Sequence, residues 1–397
     1  MSGKTLTQRL TTFLIVCLST AVLSGCTVNP VTGKSELSLL DESREIELGT
    51  QQYQPSQQAQ GGRYASDPQL TDYVSSVGQN LARAADRRLP YEFVIIDDST
   101  PNAWALPGGK IAINRGLLLR LSSEAELAAV LSHEIVHAAA RHGAKSIERN
   151  LLISGVMSAA GSAIGASDSR YSDLLDNGAQ IGAQFIVSSY GREAELESDR
   201  YGMVYMVRAG YDPAAAVSLQ ETFVALSKDR APNWLEGLLA SHPPSQERVT
   251  KNRQTAARLS QSVTVDLTQG FDRYRANLRR LGELSPAYDL TTDALTALQA
   301  NDLEQATTLI RKALRLTDSE AAIHGAAGQI SLASEQPRAA AAHFSAAIKI
   351  NETYFRYFLG RGYAHQALGL LESARRDFEA SQRLFQTEAA NRALNEL

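Results

Sequence analysis

The sequence predicts an α+β fold that is mostly α-helical, with a small β-sheet in its N-terminal part and only helices in its C-terminal part. Three observations predict this division. Uninterrupted runs of strong helix formers surround His133 and Glu195. Two short segments rich in β-branched and aromatic residues precede the first of these runs. From Ala287 onward, small and aromatic residues recur every 34 residues.

The predicted strands lie directly before the first helical run. Tyr91–Ile96 and Lys110–Asn114 have strand composition. Pro107–Gly109 predicts a tight turn between the segment Asn102–Leu106 and the second strand. We therefore expect a small sheet beside the helix that follows.

The most informative motif is His133-Glu134-Ile135-Val136-His137, which has the HExxH pattern of zinc hydrolases. Because His133 and His137 are spaced i, i+4 on one helix face, both imidazoles can reach one metal ion. Glu134 lies close enough to take a proton from a water molecule at the metal without binding the metal itself. The motif predicts one Zn²⁺ per chain, with Glu134 as the catalytic base.

A zinc site of this kind needs a third protein ligand. Tyr190–Gly202 is a second predicted helix, and it is dense in carboxylates. Glu193 and Glu197 form one pair spaced i, i+4. Glu195 and Asp199 form another, and the members of each pair would share a helix face. The spacing alone leaves both pairs open.

The two motifs together resemble the HtpX and CAAX prenyl protease type of gluzincin, a zincin-like metalloprotease family whose third zinc ligand is the Glu of an ExxxDxxG pattern. Glu195, Asp199 and Gly202 match that pattern. The resemblance implies that Glu195 binds the metal and that Asp199 orients a zinc-bound histidine. Ser198 departs from the family, which usually has alanine there, but the residue remains small.

The resemblance also assigns residues 63–255 to the zinc metalloprotease domain. In the family, the block around Asn102-Ala103-Trp104 forms the sheet beside the active-site helix, and its edge strand can hold an extended peptide by strand addition. This implies a substrate-side position for Asn102, Trp104 and Gly109. An ordinary hairpin that only packs against the helix is an equally open alternative.

Another histidine, His242, precedes Pro243 and Pro244, which keep the loop extended and stiff. In periplasmic members of the family, the matching histidine can occupy the open position on zinc and keep the enzyme inactive. The resemblance implies that His242 is an autoinhibitory ligand or a transition-state hydrogen-bond donor, and that Arg248 is a structural or substrate-side cation. A histidine that only packs the loop is the alternative. His142 follows the motif helix, and we expect it to cap that helix as a cation or polar group.

The first 25 residues predict an export signal. Lys4 and Arg9 form a basic region, an apolar core follows, and Leu23–Cys26 matches a bacterial lipobox. Cleavage before Cys26 would leave a lipid-modified N-terminus, whose acyl chains anchor firmly. The residue after Cys26 is Thr27 and not the Asp that commonly signals inner-membrane retention. We therefore expect a lipoprotein on the periplasmic side of the outer membrane of a Gram-negative bacterium, the alternative being an ordinary secretory signal with a chance cysteine.

Composition excludes other classes of protein. Cys17 leaves with the signal and Cys26 carries the lipid, so the predicted mature chain forms no disulfide. The formal net charge is -4, and the chain has neither a basic domain nor a phosphate-binding glycine loop. We expect no nucleic-acid partner.

Three connecting segments complete the N-terminal part. Residues 26–62 predict a lipidated tether that wraps the next domain, with a short helix from an Asp41 N-cap to Gly49. Residues 151–186 are rich in Gly, Ala and Ser, and their nearly uncharged part is short for a membrane span. This run is either a lid or membrane-facing element over the cleft, or a buried helix that packs through its small residues. Residues 256–286 are the predicted connector to the repeats.

Residues 287–397 predict about three tetratricopeptide repeats, which start at Ala287, Ala321 and Phe355. Small residues would let paired helices approach, and aromatic residues would fill the space between them. An unrelated alanine-rich bundle is the alternative. The positions in register are Ala294, Gly328 and Gly362; Ala306, Ala340 and Ala374; Ile310, Phe344 and Phe378; and Ala313, Ala347 and Ser381. We interpret His324, His343 and His365 as surface or packing residues.

The resemblance implies a lipid-anchored periplasmic zinc metalloendopeptidase. Its expected substrates and partners are unfolded or stalled outer-membrane proteins and their assembly machinery, bound in part through the groove of the repeats. The alternative is a chaperone or scaffold for outer-membrane protein assembly with little or autoinhibited proteolysis.

Overall fold

A computed structural model describes residues 26–150, 190–228 and 240–397. The predictions on the signal segment 1–25 and on the run 151–186 lie outside the described residues. The described strands are β1 (Cys26–Val28), β2 (Ser35–Leu37), β3 (Glu92–Ile96), β4 (Ala103–Leu106) and β5 (Lys110–Asn114). The helices of the N-terminal domain are α1 (Glu42–Ala59), α2 (Pro68–Ala84), α3 (Arg115–Leu118), α4 (Glu124–Ala139), α5 (Arg192–Arg208), α6 (Ala214–Lys228) and α7 (Gln246–Gln261). Residues 142–150 are also helical. The C-terminal helices are α8 (Phe271–Gln299), α9 (Leu303–Leu316), α10 (Ala321–Ala333), α11 (Pro337–Ile350), α12 (Phe355–Ala367), α13 (Leu371–Leu384) and α14 (Glu388–Asn395).

The larger sheet has the order β3-β5-β4, with β3 parallel and β4 antiparallel to the central strand. Both faces of this sheet are buried, which explains the nearly continuous apolar composition of its strands. Ala103 and Ala105 face the core shared with α4, whereas Trp104 packs edge-to-face with Tyr53 of α1. The predicted α+β fold, with a small sheet beside the motif helix, is confirmed.

Helix α1 begins as predicted and ends later than predicted. The Asp41 side chain accepts a hydrogen bond from the Arg44 N–H and caps the helix. The helix does not end at Gly49 but continues to Ala59. At Gly49 a Cβ would lie 1.8 Å from the carbonyl oxygen of Pro107. This glycine therefore lets α1 approach the β4–β5 turn closely, a long-range role that its position in the sequence does not indicate.

The predicted repeats are confirmed as stacked helix pairs. Helices α10 and α12 begin at Ala321 and Phe355, the residues predicted to start the second and third repeats. A Cβ on Gly328 would lie 2.8 Å from the Phe344 ring, so a small residue there makes room for the aromatic ring. The first repeat differs at its start, because α8 runs without interruption from Phe271 through Pro286. The expected boundary between connector and repeats at residue 286 therefore lies inside a helix.

Glutamines of α1 bind the repeats to the N-terminal domain. The buried Gln58 amide donates to the Thr353 carbonyl at 2.7 Å and accepts from the Phe355 N–H at 3.0 Å. The exposed Gln54 amide donates to the Leu384 carbonyl at 2.7 Å. The segment predicted as a tether is thus packed between the sheet and the repeats.

A buried charged network joins the two domains at a second place. The Arg115 guanidinium donates to Asp97 at 2.9 Å and lies 3.4 Å from the ring centroid of Tyr288 on α8. The Tyr288 hydroxyl donates to the Glu320 carboxylate at 2.5 Å. Since buried charges are costly unless they are paired, this network favours one docking geometry for the repeats.

In the described parts of the chain, none of the helices combines the length and apolar character needed to cross a lipid bilayer.

Replacing Gln58 with alanine is expected to destabilise the docked repeats. The change leaves the buried Phe355 N–H without its partner, at a cost of about 1–3 kcal/mol, and it also removes the donor to the carbonyl of the exposed Thr353. The free energy of unfolding in urea measures the effect. Gln54→Ala is the matched control, because its single bond is exposed and its loss should stay within about 0.5 kcal/mol. Equal effects of the two changes would contradict the docking role of Gln58.

Candidate metal centre

Helix α4 carries the HExxH motif from a well-capped start. The Ser123 side chain accepts from the Glu126 N–H, and the Glu126 carboxylate accepts from the Ser122 N–H. The helix is buried along nearly its whole length. His133 and His137 lie one turn apart on the same face, with ring centroids 4.7 Å apart.

Helix α5 crosses α4 closely and faces it with Glu195 and Asp199. A Cβ on Gly202 would lie 3.1 Å from the Ser132 hydroxyl oxygen and 3.2 Å from the His133 backbone nitrogen. A larger residue at position 202 would push the two helices apart. Of the two carboxylate pairs that the sequence left open, the one containing Glu195 and Asp199 is turned toward His133.

Donor atoms of four side chains, His133, His137, Glu195 and His242, converge within 4.8 Å of one another. The two Nε2 atoms of His133 and His137 are 3.0 Å apart, and they lie 3.4 and 3.3 Å from oxygens of Glu195. The Nδ1 atom of His242 lies 3.3 Å from His133 Nε2 and 3.2 Å from Glu195 Oε1.

This donor set fits zinc. Ligand atoms about 2.0–2.1 Å from a tetrahedral zinc ion are about 3.4 Å from each other, which is close to the separations between these four residues. Burial opposes ionisation of Glu195, but the charges and hydrogen bonds of His242 and His133 lower its pKa well below the usual range. Burial lowers the pKa of His137, so this ring is neutral and can donate a lone pair.

The surrounding carboxylates favour positive charge at this place. Burial disfavours the imidazolium form of His133, but Glu195 and Asp199 outweigh burial and raise its pKa to about 10. The same negative field that holds a proton also attracts a cation.

Asp199, itself paired with Arg248, contacts the Nδ1 side of His133, opposite the Nε2 atom that faces the donor cluster. The Asp199 carboxylate lies 3.0 Å from His133 Nδ1 and accepts two hydrogen bonds of 2.7 Å from the Arg248 guanidinium. A further bond of 3.3 Å comes from the Asn252 amide. Burial alone would raise the pKa of Asp199, but Arg248 holds it well below its usual range. The ionised carboxylate can therefore accept the Nδ1–H of His133 and leave Nε2 free.

Glu134 lies beside the donor cluster without belonging to it. Its side chain is almost completely buried, and burial raises its pKa. Its Oε1 atom is 3.4 Å from His242 Nε2, and its Oε2 atom has no hydrogen-bond partner among the described residues. A buried carboxylate with a free oxygen and a raised pKa is suited to accepting a proton.

The loop of His242 is fastened to the edge strand of the sheet. The Ser241 hydroxyl donates to the Asn102 side-chain oxygen at 3.3 Å. His242 itself is buried, with its ring 5.1 Å from that of His133 and 5.4 Å from that of His137. Asn102 therefore lies next to this loop, at the edge of the site.

The structure places Arg248, Trp104 and Gly109 in the structural alternative of the two roles that the sequence left open for each. Arg248 is buried, and it also donates to Glu195 at 2.8 Å, so it supports the carboxylates as a structural cation. Trp104 points to the opposite face of the sheet, because neighbouring strand residues alternate between faces. Gly109 has φ +89°, and a Cβ there would meet the Tyr91 ring at 2.9 Å, so this glycine serves the turn.

The structure adds two aromatic residues that sequence reasoning did not assign to the site. The Tyr190 ring stacks on His137 at 3.9 Å, and its hydroxyl donates to the Ala105 carbonyl at 3.4 Å. His142 is expected from the sequence to cap α4 as a cation or polar group; burial lowers its pKa, which disfavours the cation, and its Nδ1 lies 3.0 Å from Nδ1 of His137. The spacing of five residues between the histidines could have signalled this contact only with knowledge of the turn between them.

Comparison with known proteins agrees with this geometry. Residues 68–256 match the sequence model of Peptidase family M48. The beta-barrel assembly-enhancing protease of Escherichia coli O157:H7 is 29% identical over 282 residues, covering 70% of this chain and 56% of that protein. The mitochondrial metalloendopeptidase OMA1 of Schizosaccharomyces pombe is 34% identical over 185 residues, covering 46% of this chain and 51% of that protein.

Among solved structures, the TPR domain of Arabidopsis OM64 aligns with 29% of this chain and 96% of its own, at a TM-score of 0.28 and 19% identity. The chain spans about half the length of the curated relatives it matches. Residues 68–256 therefore form an M48 metallopeptidase domain, which the stacked helix pairs of residues 271–397 follow in the same chain.

Proposed function

We propose that this chain is a zinc metalloendopeptidase that hydrolyses peptide bonds of unfolded or misassembled outer-membrane proteins. The observation that carries this proposal is the convergence of His133, His137 and Glu195 on one point, with the free oxygen of Glu134 beside it. The family match of residues 68–256 supports the same reaction class.

The residues that would hold the metal are His133, His137 and Glu195. A bound zinc ion supplies Lewis acidity, which lowers the pKa of water and polarises a peptide carbonyl. Asp199 contributes by accepting the Nδ1–H of His133, so that the Nε2 lone pair of this ring points into the donor cluster.

Glu134 carries the proton in the proposed reaction. Its Oε2 atom has no hydrogen-bond partner among the residues that the structure describes, so it can accept a proton from the attacking water. The raised pKa of this carboxyl favours holding that proton until the peptide nitrogen leaves. Delivery of the proton to the leaving amine restores the carboxylate for the next cycle.

The substrate would lie along the outer edge of β4, which has no neighbouring strand on that side in the described sheet. The Asn114 N–H donates to the Asn102 carbonyl, so the alternate residues Ala103 and Ala105 turn their backbone groups toward this outer edge. An extended peptide can add there by backbone hydrogen bonds. The Ala105 carbonyl, which now accepts from Tyr190, is one group that a peptide would engage.

His242 is the proposed brake on this reaction. Its Nδ1 atom lies at hydrogen-bonding distance from both His133 and Glu195, where a fourth ligand to the metal would sit. This position supports the second candidate function, a chaperone or scaffold with autoinhibited proteolysis. To act instead as a transition-state hydrogen-bond donor, His242 would have to turn away from this position and toward the substrate.

The proposed location follows from the sequence and from the relatives. The lipobox ending at Cys26 supports a lipoprotein on the periplasmic side of the outer membrane. The name of the Escherichia coli relative, a beta-barrel assembly-enhancing protease, supports a role with outer-membrane proteins and their assembly machinery. The repeats would bind substrates or that machinery, as stacked helical repeats commonly do.

Glu134→Gln is expected to abolish hydrolysis while zinc remains bound. An amide cannot accept the proton, and general-base catalysis commonly contributes about 10²–10⁴-fold to the rate. The measurement is cleavage of an unfolded outer-membrane protein together with the zinc content of the same sample. Glu193→Gln, an exposed carboxylate on α5, is the matched control. Retained cleavage in Glu134→Gln, or no zinc in the wild-type protein, would contradict the proposed mechanism.

His242→Ala is expected to increase the rate of peptide hydrolysis. Loss of about 1.4 kcal/mol of autoinhibitory contact corresponds to about tenfold in the population of the open site. Initial rates with a fluorogenic peptide measure the change, and His324→Ala in the repeats is the remote control. A fall in rate would favour a transition-state donor and would contradict the brake.

A further inference from the structure

We infer that His142 positions the proposed metal ligand His137, and that Glu197 holds His142 in the tautomer that this role requires. The inference rests on the proposed zinc site and adds His142, which follows the HExxH motif, and Glu197, at a position that the ExxxD pattern leaves unspecified. His142 Nδ1 lies 3.0 Å from His137 Nδ1, and His142 Nε2 lies 3.4 Å from Glu197 Oε2.

The direction of each hydrogen bond follows from the chemistry of the ligand. His137 must offer the Nε2 lone pair to the metal, so its proton is on Nδ1. His142 Nδ1 is then the acceptor, and the proton of His142 is on Nε2, where it faces the carboxylate of Glu197. A histidine can accept at one nitrogen and donate at the other, which suits it to this intermediate position.

The two ligand histidines are thus supported differently. His133 donates directly to the carboxylate of Asp199, whereas His137 donates to His142 and reaches the carboxylate of Glu197 through that ring. His137 is fully buried, so without His142 its Nδ1–H would face the interior unpaired.

Ser198 contributes to the same arrangement. Its hydroxyl lies 3.4 Å from His142 Nδ1 in a fully buried position, and it stands where the resembling family usually has alanine. The departure from the family pattern therefore coincides with the histidine that supports the ligand.

The turn after α4 returns His142 toward His137. Arg141 has φ +65°, a left-handed conformation that usually favours glycine, and its guanidinium donates to the Leu40 carbonyl at 2.6 Å and to Glu45. The buried Asn29 amide donates to the Ala140 carbonyl at 3.0 Å. Asn29 and Leu40, from the N-terminal segment after Cys26, thereby stabilise the turn at Ala140 and Arg141.

The outer end of the chain of hydrogen bonds is a surface contact. Lys34, on the turn between β1 and β2, pairs with Glu197 at 2.8 Å, but its side chain is 67% exposed. Exposed ion pairs contribute little. The inner part, from the half-buried Glu197 through the buried His142 to His137, therefore carries the positioning effect.

The test compares zinc affinities of His142→Leu and His142→Gln in the full-length protein, by competition with a chromogenic chelator. Loss of an outer partner of a metal-binding histidine commonly weakens metal affinity by about 10–100-fold, and we expect this for leucine. Glutamine keeps one acceptor and one donor and should restore most of the affinity. The absorption spectrum of the cobalt-substituted protein should shift for leucine and return toward wild type for glutamine.

Two controls separate positioning from a general loss of structure. His343→Leu makes the same replacement at a half-buried histidine of the repeats and should leave zinc affinity unchanged. Asp199→Asn removes the support of His133 and should weaken zinc binding. If Asp199→Asn weakens zinc binding and His142→Leu does not, or if His142→Gln binds zinc no better than His142→Leu, the inference on His142 is overturned while the proposed zinc site stands. Absence of zinc from the wild-type protein would overturn the proposed function as well.

Discussion

Burial of two carboxylates on one turn of α5 is the constraint on which the rest of the site depends. Glu195 and Asp199 are nearly inaccessible to water, and unpaired charges in such a place are very costly. Arg248 pairs with both of them, at 2.8 and 2.7 Å, and the remaining negative potential acts on His133. The close crossing at Gly202 is what brings these carboxylates to the histidines of α4. The arrangement favours one more positive charge, which a zinc ion at the donor cluster would supply.

The sequence predicted the parts of this site that depend on local spacing, and it could not predict those that depend on distant contacts. The i, i+4 spacing placed His133 and His137 together, but two carboxylate registers were equivalent on α5, and only the family pattern selected Glu195. The Asp41 cap is a local signal that the sequence shows, whereas Gly49 predicts a helix end that the structure does not have, because the contact of Gly49 with Pro107 is long-range and cannot be read from the sequence. The contact of His142 with His137 depends on the turn between them, so the sequence places His142 only at the helix end.

The N-terminal segment makes contacts that its composition does not indicate. Polar, glutamine-rich sequence predicts a tether that wraps the next domain, and Gln58 of this segment is buried between the N-terminal domain and the repeats. Asn29 and Arg141 join the first hairpin to the turn after the motif helix. Gln58, Asn29 and Arg141 each have a hydrogen-bond partner far away in the sequence, which a single sequence does not reveal. The start of the first repeat was also not visible in the sequence, because a long helix continues through Pro286.

In the proposed resting state, three histidines and one carboxylate, His133, His137, His242 and Glu195, surround a single zinc ion. X-ray absorption at the zinc edge, on full-length protein purified without added metal, measures this coordination. We expect one zinc per chain with scattering from three imidazoles and one carboxylate at about 2.0–2.1 Å. Zinc bound by only two imidazoles would contradict the resting position of His242, and a protein without zinc would contradict the metal centre itself.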